Sequence, residues 1–218
     1  MTGEPVGHRK ARCHDCRPRY TDAVEFRLQR VLRITSAAAH ASGDDARQYW
    51  LTRPVSERVA AVEFLRRQHD GTGPDFDEFF GSLSAHEVEF LIVGAYALAF
   101  HGAPRFTGDI DVFVRPTAAN AEHLLAALAA FGFPTGDLRP EDVTNPDQIL
   151  QMGIEPVQIH VMSAISGVEW DDAWSGRDVG RCGSRDLPFI GRREFIRNKR
   201  ASGRLKDLAD VEALGGGE

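Results

Sequence analysis

Two carboxylates set two residues apart, Asp109 and Asp111, are the side chains in this sequence best suited to chemistry. They open the run DIDVFV, which alternates with the period of a β-strand. On a strand both carboxylates project from one face, about 7 Å apart along the chain. Unpaired charge is costly to bury, whereas hard divalent cations take oxygen ligands of this kind. Taken alone, the pair fits a solvated edge strand as well as a cation site. Upstream, Gly94 ends the apolar run 88–93, and a glycine lets backbone approach a ligand closely. Arg105 and Thr107 stand just before the pair. A second group lies near the C-terminus, where seven basic residues meet one acid, Glu194, between positions 192 and 206. Such a stretch could hold a phosphate chain or a nucleic-acid backbone. It could equally be a solvated helix face laced with i, i+3 and i, i+4 pairs.

The order and spacing of Gly94, Arg105 with Thr107, and Asp109 with Asp111, joined by the segment 199–210 (KRASGRLKDLAD), resembles a known family. It is similar to the DNA polymerase β-type nucleotidyltransferase superfamily, in the minimal bacterial branch that includes AbiEii/AbiGii-type toxins. The resemblance runs over residues 75–214. It implies an α/β (α+β) fold, with a small mixed sheet carrying the carboxylate pair and helices flanking it. It also implies an enzyme, a metal-dependent nucleotidyltransferase. An NTP such as ATP would give its NMP to a hydroxyl acceptor, a tRNA 3′ end or a protein side chain. A toxin–antitoxin or phage-defence setting follows, with an antitoxin or toxin as partner.

The same resemblance assigns roles. Asp109 and Asp111 would be catalytic and hold Mg²⁺, with Mn²⁺ as the alternative, and a second metal would sit near the α-phosphorus. Gly94 and Ala95 would offer backbone N–H groups to the nucleotide at a helix N-terminus. Arg105 and Thr107 would touch phosphate oxygens. Lys199 and Arg204 would contact the nucleotide or the acceptor. Asp207 would orient a basic residue or serve the active site, with Asp210 a further candidate. The family's third carboxylate position, on a later strand, is here His160. An imidazole brings no negative charge and suits Zn²⁺ or Mn²⁺ better than Mg²⁺. This leaves open an enzyme with altered metal preference, a weak enzyme, and a catalytically impaired module that binds a nucleotide or a partner. Ala95 stands where the family has a second glycine or a serine.

The elements that must position these groups follow from periodicity. Residues 75–87 predict a helix with Phe76, Phe79, Phe80 and Leu83 on one face, leading into a strand at 88–93 and a short helical segment at 95–101. Residues 117–131 predict a helix closed by Gly132. Residues 136–147 read as a loop, and residues 156–162 as the strand that carries His160. A short helix at 169–174 presents Trp170 and Trp174 as packing anchors. A hairpin around Gly183 follows, with Cys182 as an ordinary hairpin residue. Helices at 192–202 and 204–214 are separated by Gly203, the second with Leu205, Leu208, Val211 and Leu214 on one face. His101 is expected to hydrogen-bond the adjacent loop backbone.

The N-terminal third reads differently. Residues 1–45 are expected to be a disordered or loosely helical tail, with helical spacing at 21–34 and a linker from Ser36. Residues 46–72 predict a helical extension, clearest at 50–68, and residues 73–218 the nucleotidyltransferase-like domain. Cys13 and Cys16 form a lone C-x-x-C without the further ligands a zinc site needs, so an inert polar tail is expected. A start downstream of Met1 is also compatible with this composition. Across the chain, 42% apolar and 27% charged residues are ordinary for a soluble globular protein. A net charge of −6 excludes a general polycation. No apolar run is long enough to span a bilayer, and no signal-peptide core is evident. Three cysteines argue against a disulfide framework and for the cytoplasm.

Overall fold

The structure, a computed structural model, describes residues 32–36, 52, 74–103, 107–154, 157–182 and 185–216. Its elements run β1 (Leu32–Ser36), α1 (Pro74–Ala85), β2 (Phe90–Val93), α2 (Gly94–Phe100), β3 (Asp109–Val114) and α3 (Ala118–Phe131). They continue with α4 (Pro140–Thr144), β4 (Gln148–Ile154), β5 (Val157–Met162), α5 (Trp170–Ser175), β6 (Asp178–Cys182) and β7 (Arg185–Phe189). Helices α6 (Arg192–Ser202) and α7 (Leu205–Ala213) end the chain. The seven strands form one mixed sheet in the order β1-β4-β5-β3-β2-β7-β6. β3 lies near its centre, parallel to β5 and antiparallel to β2. The α/β class expected from the sequence is the one observed.

Each strand next to β3 has a local reason to be there. Phe90–Val93 is buried at every position, as befits a central strand. Phe76, Phe79, Phe80 and Leu83 of α1 enter the core, with Phe80 stacked on Phe90 at 5.6 Å and Phe79 edge-on to Phe131 of α3 at 5.7 Å. Thr117 caps α3 by accepting from the Asn120 amide N–H, and Gly132 closes it in the left-handed region at φ 93°. Asn120 is itself buried; its side chain accepts from the Glu89 N–H and donates to the Glu89 and Arg115 carbonyls, fastening β2 and β3 at one end. On β3, Phe113 shares the carboxylate face by the two-residue period and packs edge-on against Trp170 at 5.0 Å.

Three expectations need correction, and one strand, at residues 148–154, had no reading from the sequence. Residues 32–36 do not continue a helix, nor does a linker start at Ser36. The alternation Leu32-Arg-Ile34-Thr pairs antiparallel with β4 as an edge strand. Residues 148–154 carry no clean alternation, yet they form β4 because pairing on both sides satisfies their backbone. Residues 140–144, expected as loop, make one helical turn, with Pro140 in the tolerated first position. The apolar face expected for α7 is only half right: Val211 and Leu214 are buried, while Leu205 is 88% and Leu208 45% exposed. The C-x-x-C motif, residues 21–31 of the helix expected at 21–34 and, apart from Thr52, the helix expected at 50–68 lie outside the described residues. Among the described residues no helix is long and apolar enough to cross a membrane.

Candidate active site

Strand register brings the first group together. Asp111 lies opposite Val93 on β2 and opposite His160 on β5. Asp109 and Asp111 therefore point from β3 toward the ring of His160, whose Nδ1–H donates to Asp111 Oδ1 at 3.1 Å and lies 3.7 Å from Asp109 Oδ2. One ligand atom from each of the three residues falls within 4.8 Å of the others. The His160 side chain is 2% exposed, behind carboxylates that are 43% and 24% exposed.

Gly94 is demanded by this arrangement. It begins α2 with φ +63°, and a Cβ there would stand 2.0 Å from Asp111 Oδ2. No side chain fits between the turn and the carboxylate, and L-residues avoid that backbone region. Thr107 turns its hydroxyl to Asp109, 3.3 Å from Oδ1 and 3.2 Å from the backbone carbonyl. Burial raises the Asp109 pKa above its ordinary 3.8, and the negative charge of Asp111 raises it further; His160, the Thr107 hydroxyl and Lys206 oppose the rise. Two carboxylates held this close repel, and a cation between them would relieve the repulsion.

The donor set fits a divalent ion. Neighbouring ligands at about 2.1 Å from a common ion sit about 3 Å apart, comparable to the 3.1 and 3.7 Å from His160 Nδ1 to the two carboxylates. Two oxygens and one imidazole nitrogen match the chemistry of first-row divalent metals.

The carboxylates open into a cleft of about 590 Å³. Gly94, Ala95 and Thr107 line it beside them, Ile149, Met162 and Ile165 give it an apolar side, and Lys199, Arg204 and Lys206 give it cations. Of the residues read from the sequence, Asp109, Asp111, Gly94, Ala95, Thr107, Lys199 and Arg204 thus share one cleft, with His160 behind it. Arg105 lies outside the described residues.

The C-terminal basic stretch divides into two kinds of residue. Lys199 is 6% exposed and meets two carboxylates, Asp207 at 2.6 Å and Asp210 at 3.1 Å. Asp207 is fully buried; it also accepts from the Ser202 hydroxyl at 2.7 Å and from Arg204 Nε. Burial alone would raise the Asp207 pKa, but the hydrogen bonds from Lys199, Arg204 and Ser202 outweigh it and hold it at about 2. The arginines of α6 are engaged within the protein: Arg192 with the Leu214 carbonyl, Arg193 with Glu194, Arg197 with Asp172, and Arg200 with the Gly216 carbonyl. His101 Nε2–H donates to the Ile190 carbonyl at 2.8 Å, tying the end of α2 to the end of β7 rather than to its own loop. Lys206 was not singled out by the sequence. Its place on the cleft wall depends on Gly203, whose φ of +66° turns the chain from α6 into α7, and no sequence signal marked it.

No protein-family model and no curated protein matches this sequence. Among solved structures the chain is similar to the crystal structure of "a putative nucleotidyltransferase" from Thermotoga maritima, at 14% identity and a TM-score of 0.40. That likeness covers 71% of this chain and 92% of the other.

Proposed function

We propose that the protein is a metal-dependent nucleotidyltransferase that moves an NMP from an NTP to a hydroxyl acceptor. The observation that carries the reading is the Asp109–Asp111–His160 cluster, whose carboxylates line a cleft, backed by Gly94, whose Cβ position is taken by the Asp111 carboxylate. Asp109, Asp111 and His160 Nδ1, once it gives up the proton it shares with Asp111, would hold the divalent cation, which would stabilise charge on the attacking and leaving oxygens. The acceptor oxygen bonds to the α-phosphorus, the bond to the bridging oxygen breaks, and pyrophosphate leaves as the hydroxyl proton is lost. Ala95 and Thr107 border the phosphates, and the apolar side of the cleft at Ile149, Met162 and Ile165 takes the base. A tRNA 3′ end or a protein side chain is the proposed acceptor. A cytoplasmic toxin–antitoxin or phage-defence system, with a cognate antitoxin or toxin, is the proposed setting.

The donor set bears on the metal. Replacing a third carboxylate by imidazole removes one negative charge and adds a nitrogen, which favours Mn²⁺ over Mg²⁺. The test is label transfer from each α-labelled NTP with Mg²⁺ or Mn²⁺ and bulk tRNA or lysate as acceptor. The expected result is transfer that is stronger with Mn²⁺ and absent from the Asp109→Ala/Asp111→Ala protein. A second reading, a nucleotide- or partner-binding module without turnover, draws on His160 itself. Nucleotide binding without transfer in the wild type, and transfer gained by His160→Asp, would decide for it.

A further inference from the structure

The cations around the cleft are not equivalent. Lys199 Nζ is held between Asp207 and Asp210, and Arg204 Nε is spent on Asp207. Counting formal charge, two cations meet two carboxylates, and that group is neutral. Lys206 lines the same cleft, is exposed, and makes no ion pair or hydrogen bond among the described residues. A divalent cation on Asp109 and Asp111 would cancel their two charges, and among the described residues that line the cleft Lys206 would then remain as an uncompensated charge. A compact ammonium on a flexible stem suits a mobile phosphate chain as a point charge.

We infer that Lys206, rather than the buried Lys199, is the lysine that contacts the polyphosphate of the substrate. Lys199 instead ties α6 to α7 across the turn at Gly203. This inference rests on the nucleotidyltransferase reading and names a substrate-contacting residue within it.

The experiment is equilibrium binding of Mn²⁺-tripolyphosphate and of Mn²⁺-ATP to the full chain by calorimetry, with melting temperature measured alongside. Lys206 is exposed, so its variants are expected to melt as the wild type does. Lys206→Ala should weaken both ligands about tenfold and Lys206→Glu more than tenfold, while Lys206→Arg should retain most of the affinity. The Lys206→Ala protein should also show a shallower dependence of binding on salt, as loss of one ionic contact requires. Wild-type affinity in Lys206→Ala and Lys206→Glu, alongside loss of binding in Asp109→Asn/Asp111→Asn, would overturn the role of Lys206 and leave the nucleotidyltransferase reading standing. A wild-type protein that binds neither ligand with Mn²⁺ would overturn that reading, and the inference with it.

Discussion

At the scale of single residues, the site sets stability against binding. Asp109 and Asp111 share one strand face; the Asp109 pKa is raised first by burial of its charge and then by repulsion from Asp111. A carboxyl whose folded pKa lies above its unfolded value stabilises fully below the unfolded value, and that contribution is lost as pH rises through the folded one. At pH 7 to 8 the metal-free pair therefore works against folding. Asp111→Asn is expected to raise the melting temperature of metal-free protein by about 2–4 °C, the shift that ~1 kcal/mol produces in a domain of this size. Mn²⁺ should reverse the ranking. At a hundred times the dissociation constant it should stabilise the wild type by about 2.7 kcal/mol and leave Asp111→Asn nearly unmoved. Thermal melts with and without Mn²⁺ or chelator check both halves; a variant that melts below the wild type without metal would contradict the repulsion.

At the scale of elements, α7 shows how helical spacing misleads. The spacing of Leu205, Leu208, Val211 and Leu214 is what an amphipathic helix would have. The face that enters the protein is Asp207, Asp210, Val211 and Leu214, because Lys199 waits there to pair with the two carboxylates. Removing one partner of a buried ion pair strands the other, at about 3–5 kcal/mol. Asp207→Asn should therefore destabilise strongly, while Leu208→Lys should change stability by no more than about 0.5 kcal/mol. The pH dependence has a definite sign. The Asp207 pKa falls from its ordinary 3.8 to about 2 on folding, so its contribution is complete above pH 4 and is lost as pH falls toward 2. That fall is worth about 2 kcal/mol at neutral pH. Denaturant unfolding between pH 7 and pH 2 should show this loss in the wild type and not in Asp207→Asn. The sequence made the carboxylate strand, the helices from Pro74 to Phe131 and the β6–β7 hairpin legible, because period and turn residues agree there. It could not rank the two faces of α7, since an apolar residue and a paired carboxylate satisfy burial by different physics. Nor could it show that Lys206 faces the carboxylates, because that depends on the left-handed turn at Gly203.

At the scale of the whole molecule, the sheet reaches further than the segment that carries the chemistry. Only β2, β3 and β5 position the cluster, and those strands were readable from alternation or apolar runs. β4 and β1 were not. Residues 148–154 place Ile149 and Leu150 side by side, and both are buried, so no period marks the strand. β1 is short and far from the rest in sequence, and pairing across more than a hundred residues leaves no local trace. Yet β1 covers β4, which would otherwise be a sheet edge with unpaired N–H and C=O groups, a surface that promotes association. Five cross-strand residue pairs join β1 to β4, and at a few tenths to 1 kcal/mol each they amount to about 1–5 kcal/mol. Deleting residues 1–36 should therefore lower the melting temperature by about 2–20 °C and promote concentration-dependent aggregation. Deleting residues 1–30, which spares the strand, should do neither. Melting curves and light scattering on the two truncations separate the outcomes. If both behave as the full chain does, residues 32–36 contribute nothing to the sheet. If only the longer deletion suffers, the N-terminal segment belongs to the same cooperative unit as the candidate active site.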